Sequence, residues 1–359
     1  MTHTISIPLP WQQVAFTQWI ERQHSERPAH ASLLIAPEDT GGEQLVEAMA
    51  AAMLCESPTP EHYACGTCGS CQLIAAFSHP DYRLLRPSML DMAHPIEEMR
   101  PEKPSKEITI DQVRALDNMV NQTSHRGGKR VVVVYPAHKL NRNAANALLK
   151  TLEEPPANTL FILLAHDVQQ LIPTIVSRCQ LISTGTPSTE AAVAYLNKLE
   201  SNPRWAEYLQ QENGAVMRVA NLVKTDYFSI EKNFIEQLAR GKNLDAIATA
   251  TAFEKHIKDA DKARLAGAPK TIDMATLITW LQRWAYDLIL CAQQGGAPRY
   301  YAPYQDAMTK ITANTPASFT IQLHAWQAKL TRERRIADHP LNVRSWVEKL
   351  LLEYVGLFG

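Results

Sequence analysis

The pattern of apolar and polar positions divides this chain into two regimes. Up to about residue 183 short apolar runs alternate with helical stripes, and beyond about residue 225 the pattern is helical throughout. The runs at 31–36, 82–85, 131–134, 160–164 and 180–183 are too short for helices between their breakers, so they are expected to be strands. Val131, Val132, Val133 and Val134 form the β-branched run that a strand buried on both faces needs. Leu140, Ala144, Ala147, Leu148 and Leu152 then recur at helical spacing. Pro155 and Pro156 end that helix, because neither carries an N–H and the first also restricts Glu154. Strand, helix and strand at this spacing predict a right-handed crossover in a parallel sheet, and hence an α/β fold.

The remaining elements follow from the same reading. A helix is expected over 11–26 with Val14, Phe16, Trp19 and Ile20 as its apolar positions, and others over 43–54 and 110–123. The last of these carries Val113, Leu116, Met119 and Val120 on one side, and a helical turn finishes at 72–77. Residues 86–106 hold four prolines and mixed charge, which predicts an exposed insertion. The basic segment from Arg126 to Arg130 reads as a solvated turn ahead of a phosphate contact. Pro173 suits the first turn of a short helix carrying Ile175 and Val176. Three short helices are expected at 190–199, 204–211 and 214–223. Further on, Leu277, Trp280, Leu281, Trp284 and Leu288 form one stripe, and Leu323, Trp326 and Leu330 another, both assigned to packing. A final helix is expected from Asn342 to Tyr354, and Arg332 to Arg335 as a solvated face.

Totals narrow the classes. At 359 residues, 45% hydrophobic and 20% charged, the chain has length for two or three domains with real cores. Thirty-six basic and thirty-seven acidic side chains leave a net charge of −1, which argues against wrapping nucleic acid by bulk electrostatics. The first residues show no charged segment leading into an apolar core, and no apolar run approaches a membrane span. The expected compartment is the cytoplasm, where thiols stay reduced.

Two stretches carry candidate chemistry. Cys55, Cys65, Cys68 and Cys71 fall within seventeen residues, with Gly66 and Gly69 permitting tight turns. Four thiolates satisfy a tetrahedral zinc ion with no open position, so the site is expected to be structural. A disulfide pair is disfavoured by the compartment, and an iron–sulfur cluster by the lack of a further cysteine and proline just downstream. Free buried thiols are the remaining alternative. Cys179 and Cys291 are isolated and read as small apolar residues. At 36–43 a strand, glycine turn and helix give the setting of a phosphate-binding loop, but the residues are wrong. Ala36 stands at the first glycine, Gly41 at the second, Gly42 at the lysine and Glu43 at the hydroxyl. Glu43, with Glu38 and Asp39 close by in sequence, would face a triphosphate with like charge. No bound nucleotide is expected.

The run from Asn146 to Pro156 (NALLKTLEEPP), followed by Ser177-Arg178-Cys179, resembles the clamp-loader branch of the AAA+ ATPases. His79-Pro80-Asp81-Tyr82 is a further mark of that family, as is a zinc module at this point of the chain. The resemblance implies an AAA+ P-loop-type parallel-sheet domain over 1–185, with a zinc module at 55–71 and the insertion at 86–106. It also implies a small helical lid at 186–224 and an all-helical collar at 225–359 that serves oligomerisation. Family members that hydrolyse ATP follow the central strand with Asp-Glu-Ala-His-type residues, where this chain has Tyr135-Pro136-Ala137-His138. Taken alone, Arg178 would be an ordinary solvated arginine. Within this motif it is implied to be an arginine finger acting in trans, supported by Ser177 and Cys179.

The expected function is therefore that of a stator, inactive as an ATPase by itself. It would sit in a hetero-oligomeric ring with gamma/tau-type ATPase and delta-type subunits, and reach the sliding clamp and primed DNA through that complex. Two other readings stay open: a working gamma/tau-type ATPase, which the 36–43 loop opposes, and a zinc-dependent DNA-binding module. No lysine or arginine lies between Cys55 and Cys71 to favour the latter.

Overall fold

The computed structural model describes residues 4–91, 96–116, 128–265, 271–293, 296–313, 315, 318–337 and 342–358. Five strands form one parallel sheet: β1 (Ala31–Ile35), β2 (Tyr82–Leu85), β3 (Arg130–Val134), β4 (Thr159–Ala165) and β5 (Gln180–Ser183). Their order across the sheet is β2-β3-β4-β1-β5, so β2 and β5 are the edges. Every strand expected from the apolar runs is present, with β3 and β4 buried along their whole length.

The two faces of the sheet are covered by different helices, and strand alternation sorts the side chains between them. Val131, Val133, Leu160, Ile162 and Leu164 pack with Phe16, Trp19, Ile20, Leu45 and Met49. Val132, Val134, Phe161 and Leu163 pack on the other side with Ala144, Leu148, Leu152 and Ile175. The helix Arg142–Glu153 starts at Asn141, whose side chain accepts the Ala144 N–H at 2.8 Å. It stops at Glu153, ahead of the two prolines. A side-chain cap of this kind is worth about 1 kcal/mol.

Three details depart from the sequence pattern. The first helix is Gln13–Gln23, preceded by a single 3₁₀ turn over Pro10–Gln12, and Val14 on it faces solvent at 69% exposure. Its three apolar partners already fill the stripe. Arg130 is not a solvated turn residue but the first residue of β3, buried, with Nη2 donating to Ala157 O at 2.5 Å. The helix at Gly69–Ala75 begins within the cysteine cluster rather than after it. Of the helix expected over 110–123, the structure describes Ile110–Arg114 as helix, and residues 117–123 lie outside the described residues. Arg126 and part of the 86–106 insertion (92–95) lie outside them as well.

The chain divides into two compact units. The first comprises Met1–Pro203 with Gly214–Met217 and holds the sheet. The second comprises Arg204–Asn213 with Arg218–Gly359 and is helical. Between the sheet and residue 225 run the helices Thr189–Leu199, Trp205–Gln211 and Val216–Leu222, the three short segments the pattern predicts. In the second unit Met274–Ala292 packs on Phe319–Arg335, and Ala246–Leu265 on Val343–Gly356. Both aromatic stripes are core: Trp280 and Trp284 are fully buried, and Trp326 nearly so. Their indole donors are partly matched inside that core, with Trp284 Nε1 donating to Tyr354 Oη at 2.9 Å and Trp280 Nε1 to Tyr227 Oη at 3.0 Å. Among the described residues no helix is long and apolar enough to cross a membrane.

Candidate functional site

All five strands point the same way, so the sheet has one edge of strand C-termini and one of N-termini. The 36–43 turn lies on the first. Gly41 caps the helix Gly42–Leu54 in the left-handed region, with φ at 93°. The turn is closely packed from within the chain. A Cβ on Gly41 would come 2.2 Å from Leu9 Cδ1 and 2.9 Å from Gln12 Nε2. Gln12, itself buried, donates from Nε2 to Gly41 O at 2.6 Å and takes the Leu9 N–H on Oε1 at 3.0 Å. Trp11 Nε1 donates to Thr40 O at 3.0 Å. Gly42 is equally enclosed, since a Cβ there would lie 2.9 Å from that of Ala36.

The electrostatics of this edge are acidic and aromatic. Glu43 accepts a hydrogen bond from the Tyr135 hydroxyl. Desolvation, with the charges of Glu47 and Asp39 beside it, pushes the Glu43 carboxyl up to about 7. His166 Nδ1 lies 3.2 Å from Ala36 O, and its ring centroid is 5.4 Å from that of His138. Burial, then the neighbouring His166 and Lys139, holds His138 below its ordinary value. A triphosphate would meet carboxylates here, with no lysine standing at position 42 to meet it.

Cys55, Cys65, Cys68 and Cys71 converge, with their sulfurs all within 4.8 Å of one another. Cys55–Cys68, Cys65–Cys71 and Cys71–Cys55 stand 3.9, 4.0 and 3.7 Å apart. Tetrahedral coordination at a metal–sulfur distance of ~2.3 Å needs sulfurs ~3.8 Å apart, so the four thiols are spaced for one metal ion. Backbone amides reinforce the set: Cys65 N donates to Cys55 Sγ at 3.2 Å and Cys68 N to Cys65 Sγ at 3.3 Å. Donation from the Thr67 hydroxyl, then from the Thr67 and Cys68 amides, draws the Cys65 thiol down to about 6. Burial acts the opposite way on Cys55 and Cys71.

On the other edge of the sheet, the short helix Pro173–Val176 delivers Ser177, Arg178 and Cys179 to the start of β5. Arg178 Nη1 donates to Thr174 O at 2.9 Å and to Ser177 Oγ at 3.4 Å, and Nη2 pairs with Glu153. Ser177 is exposed, whereas Cys179 is half-buried with its thiol pushed up to about 11 by burial. The ladder from Ser32↔Gln180 to Ile35↔Ser183 lies between Arg178 and the 36–43 turn. Those two features are thus separated by about 10 Å or more of sheet. The structure brings the four cysteines together and gathers the degenerate loop, but it keeps Arg178 away from that loop.

Sequence reading missed the filling of the loop by Leu9 and Gln12 and the partner of Arg178. The first had no signal, because an apolar residue and a glutamine 29 positions from Gly41 carry no motif. The second was visible in principle, since Glu153 belongs to the quoted eleven-residue run.

Comparison with known proteins bears on the same half of the chain. Residues 11–187 match the family described as DNA polymerase III, delta subunit. The chain is similar to the DNA polymerase III subunit delta' of Pseudomonas aeruginosa, 43% identical over 188 residues, which is 52% of each protein. It is similar to that of Haemophilus influenzae at 34% over 230 residues, covering 64% of this chain and 65% of that one. Against the Escherichia coli protein of the same name it is 36% identical over 189 residues, covering 53% of this chain and 52% of the relative. The chain thus spans between half and two thirds of the length of these curated relatives.

The loop chemistry has a pH consequence. The folded-state value of Glu43 lies above its ordinary 4.5, so between about 4.5 and 7 the folded chain binds more protons than the unfolded one. Stability contributed by this group is therefore present at low pH and lost as pH rises through that window. Glu43 keeps an exposed face, so solvent mutes the size of the effect. Glu43→Gln never ionises and still accepts from Tyr135. Urea unfolding is expected to show a higher midpoint for this variant than for the parent at about pH 8, and no difference at about pH 4.

Proposed function

We propose, from the premise that residues 11–187 belong to the DNA polymerase III delta-subunit family, that this chain is a clamp-loader subunit that hydrolyses no ATP and lends Arg178 to the nucleotide site of a neighbouring ATPase subunit. The observation that carries this reading is the division of the sheet. The chain's own phosphate turn is packed shut by Leu9 and Gln12, while Arg178 waits on the opposite edge, where it cannot serve that turn.

The chemistry asked of Arg178 is electrostatic. A guanidinium aimed at a transferring phosphoryl group stabilises the charge spread over its oxygens and performs no covalent step. Ser177 Oγ accepts from Arg178 Nη1 alongside Thr174 O, and Cys179 anchors the end of the triplet by its half-buried side chain. In this reading the partners are gamma/tau-type ATPase and delta-type subunits in a hetero-oligomeric ring. The sliding clamp and primed DNA are reached through the complex, in the cytoplasm, during DNA replication. Residues 186–224 act as the lid and 225–359 as the collar that joins the ring.

Cys55, Cys65, Cys68 and Cys71 hold a structural zinc ion. The sulfur spacing supports it, and four thiolates leave no position for substrate or water. Zinc here serves to tie the end of the helix Gly42–Leu54 to the start of Gly69–Ala75.

Three measurements test the proposal. Calorimetric titration of the isolated chain with ATP is expected to give no heat of binding, and micromolar affinity would overturn the filled-turn argument. In the reconstituted complex, Arg178→Ala is expected to leave assembly intact and to slow hydrolysis at the interface it faces by about 10³-fold, read as DNA-stimulated ATPase. Unchanged hydrolysis and clamp loading would remove the finger assignment. Metal analysis is expected to find one zinc per chain, and Cys68→Ser to lose it together with part of the thermal stability.

A further inference from the structure

Arg178 is held on two sides. Thr174 O and Ser177 Oγ, which bind its Nη1, lie within one turn of it and move with it. Glu153, which pairs with Nη2, comes from a different element, the last residue of the helix Arg142–Glu153, 25 positions earlier. We infer that Glu153 is the positioning residue of the guanidinium, fixing the direction in which Arg178 is presented to a neighbour's triphosphate. The inference rests on the reading of Arg178 as a finger.

Neither helix stability nor fold stability accounts for this carboxylate. A negative charge in the last turn of a helix opposes the macrodipole, and Glu153 is followed by a second one, Glu154. The ion pair is part-exposed, at 32% for Arg178 and 48% for Glu153, and pairs so open to water add little to stability. What the pair does is geometric. Glu153 stands where it does because the prolines at 155 and 156 stop the helix there, and β4 begins three residues beyond them. An arginine without such a partner samples many rotamers, and a reacting group displaced by a small distance loses much of its effect. A guanidinium has five N–H groups. Two on Nη1 and one on Nη2 are engaged within the chain. The Nε–H and the second Nη2–H remain for phosphate oxygens, so Arg178 can meet a triphosphate without leaving Glu153. The eleven-residue run and the Ser-Arg-Cys triplet, far apart in sequence, thereby act as one device.

The test uses the complex reconstituted with its ATPase subunits, with ATP and primed DNA, and reads kcat and KM separately. Glu153→Ala is expected to lower kcat by about tenfold or more, with KM for ATP, assembly and melting temperature unchanged. Glu153→Gln, which keeps an oxygen at the same reach, should recover most of that rate. In an Arg178→Ala background, Glu153→Ala should have no further effect. Should Glu153→Ala not assemble, Glu153→Asp, which withdraws the oxygen and keeps the charge, carries the same expectation of lower kcat at unchanged KM. An unchanged kcat in the Glu153 variant beside a slowed Arg178→Ala overturns the inference and leaves the finger standing. Losses that add in the double variant also overturn it, because Glu153 would then act elsewhere. An unaffected Arg178→Ala removes the finger itself, which is a different failure.

Discussion

β4 is the constraint on which the sheet unit depends. It is buried along all seven residues, with β3 bonded on one side and β1 on the other. Its alternate side chains, Leu160, Ile162 and Leu164 against Phe161 and Leu163, feed both cores at once. Removing one buried leucine from such a layer costs about 2–5 kcal/mol, a large share of the about 5–15 kcal/mol that keeps a domain folded. A slip by one residue would exchange the two faces entirely. The register is therefore fixed, and with it the separation of the two sheet edges. The acidic, closed turn at 36–43 belongs to one edge and the Arg178–Glu153 pair to the other. On this sheet the Arg178 guanidinium and the chain's own 36–43 turn stay at opposite ends of the β1–β5 ladder.

The sheet was legible because burial on both faces leaves an unmistakable mark. Val131 to Val134 and Leu160 to Leu164 have no polar position to confuse with a helix stripe, and both became strands within one residue of the expected bounds. The stripes of the helical unit were legible for the same reason, through Trp280, Trp284 and Trp326. What misled was amphipathic ambiguity at the margins. Val14 fits the helical spacing of Phe16 and Trp19 yet faces water, because a stripe says which side is apolar and not how far the partner surface extends. Arg130 looked like part of a basic turn, but its charged head is bound at a carbonyl while it begins a buried strand. The cysteine cluster was readable from spacing alone. The Arg178–Glu153 pair left only a partial signal: both residues lie in the quoted motifs, but their reach depends on where the helix Arg142–Glu153 stops relative to the sheet.

The helical unit shows a different way of fixing position. Glu212, after the helix Trp205–Gln211, is bonded by Arg283 at 2.8 Å and by Arg218 at 2.8 Å. Burial works against its charge, but these two guanidinium groups hold the carboxyl below its ordinary value. Glu231 lies 3.6 Å from the same Arg283 and accepts from the Tyr301 hydroxyl at 2.9 Å. Burial dominates there, and its carboxyl is pushed up to about 7. One guanidinium thus serves two carboxyl groups, one held in its charged form and one pushed toward its neutral form. Removing a single member of such a set leaves an uncompensated buried charge, which is far more costly than an exposed pair is valuable. The helices that carry these residues are tied together by that set, which joins the aromatic core through the Tyr301 and Tyr227 hydroxyls.

The closed turn at 36–43 differs from a working phosphate loop by more than a missing lysine. In a working phosphate loop the glycines leave an open cradle of backbone N–H groups. Here the same glycines are used for close packing. Gly41 makes room for Leu9, and Gly42 for Ala36 and Leu164, whose Cδ1 would lie 3.0 Å from a Cβ at position 42. A lysine placed there would have to displace Ala36, which is backbone-fixed at the end of β1, before its ammonium could reach anything. Gln12 would still hold the Thr40 and Gly41 carbonyls, and Glu43 would still present its carboxylate. Reopening the cradle requires the 9–12 segment to leave, not one residue to change. The architecture has kept the turn and spent its glycines on the core.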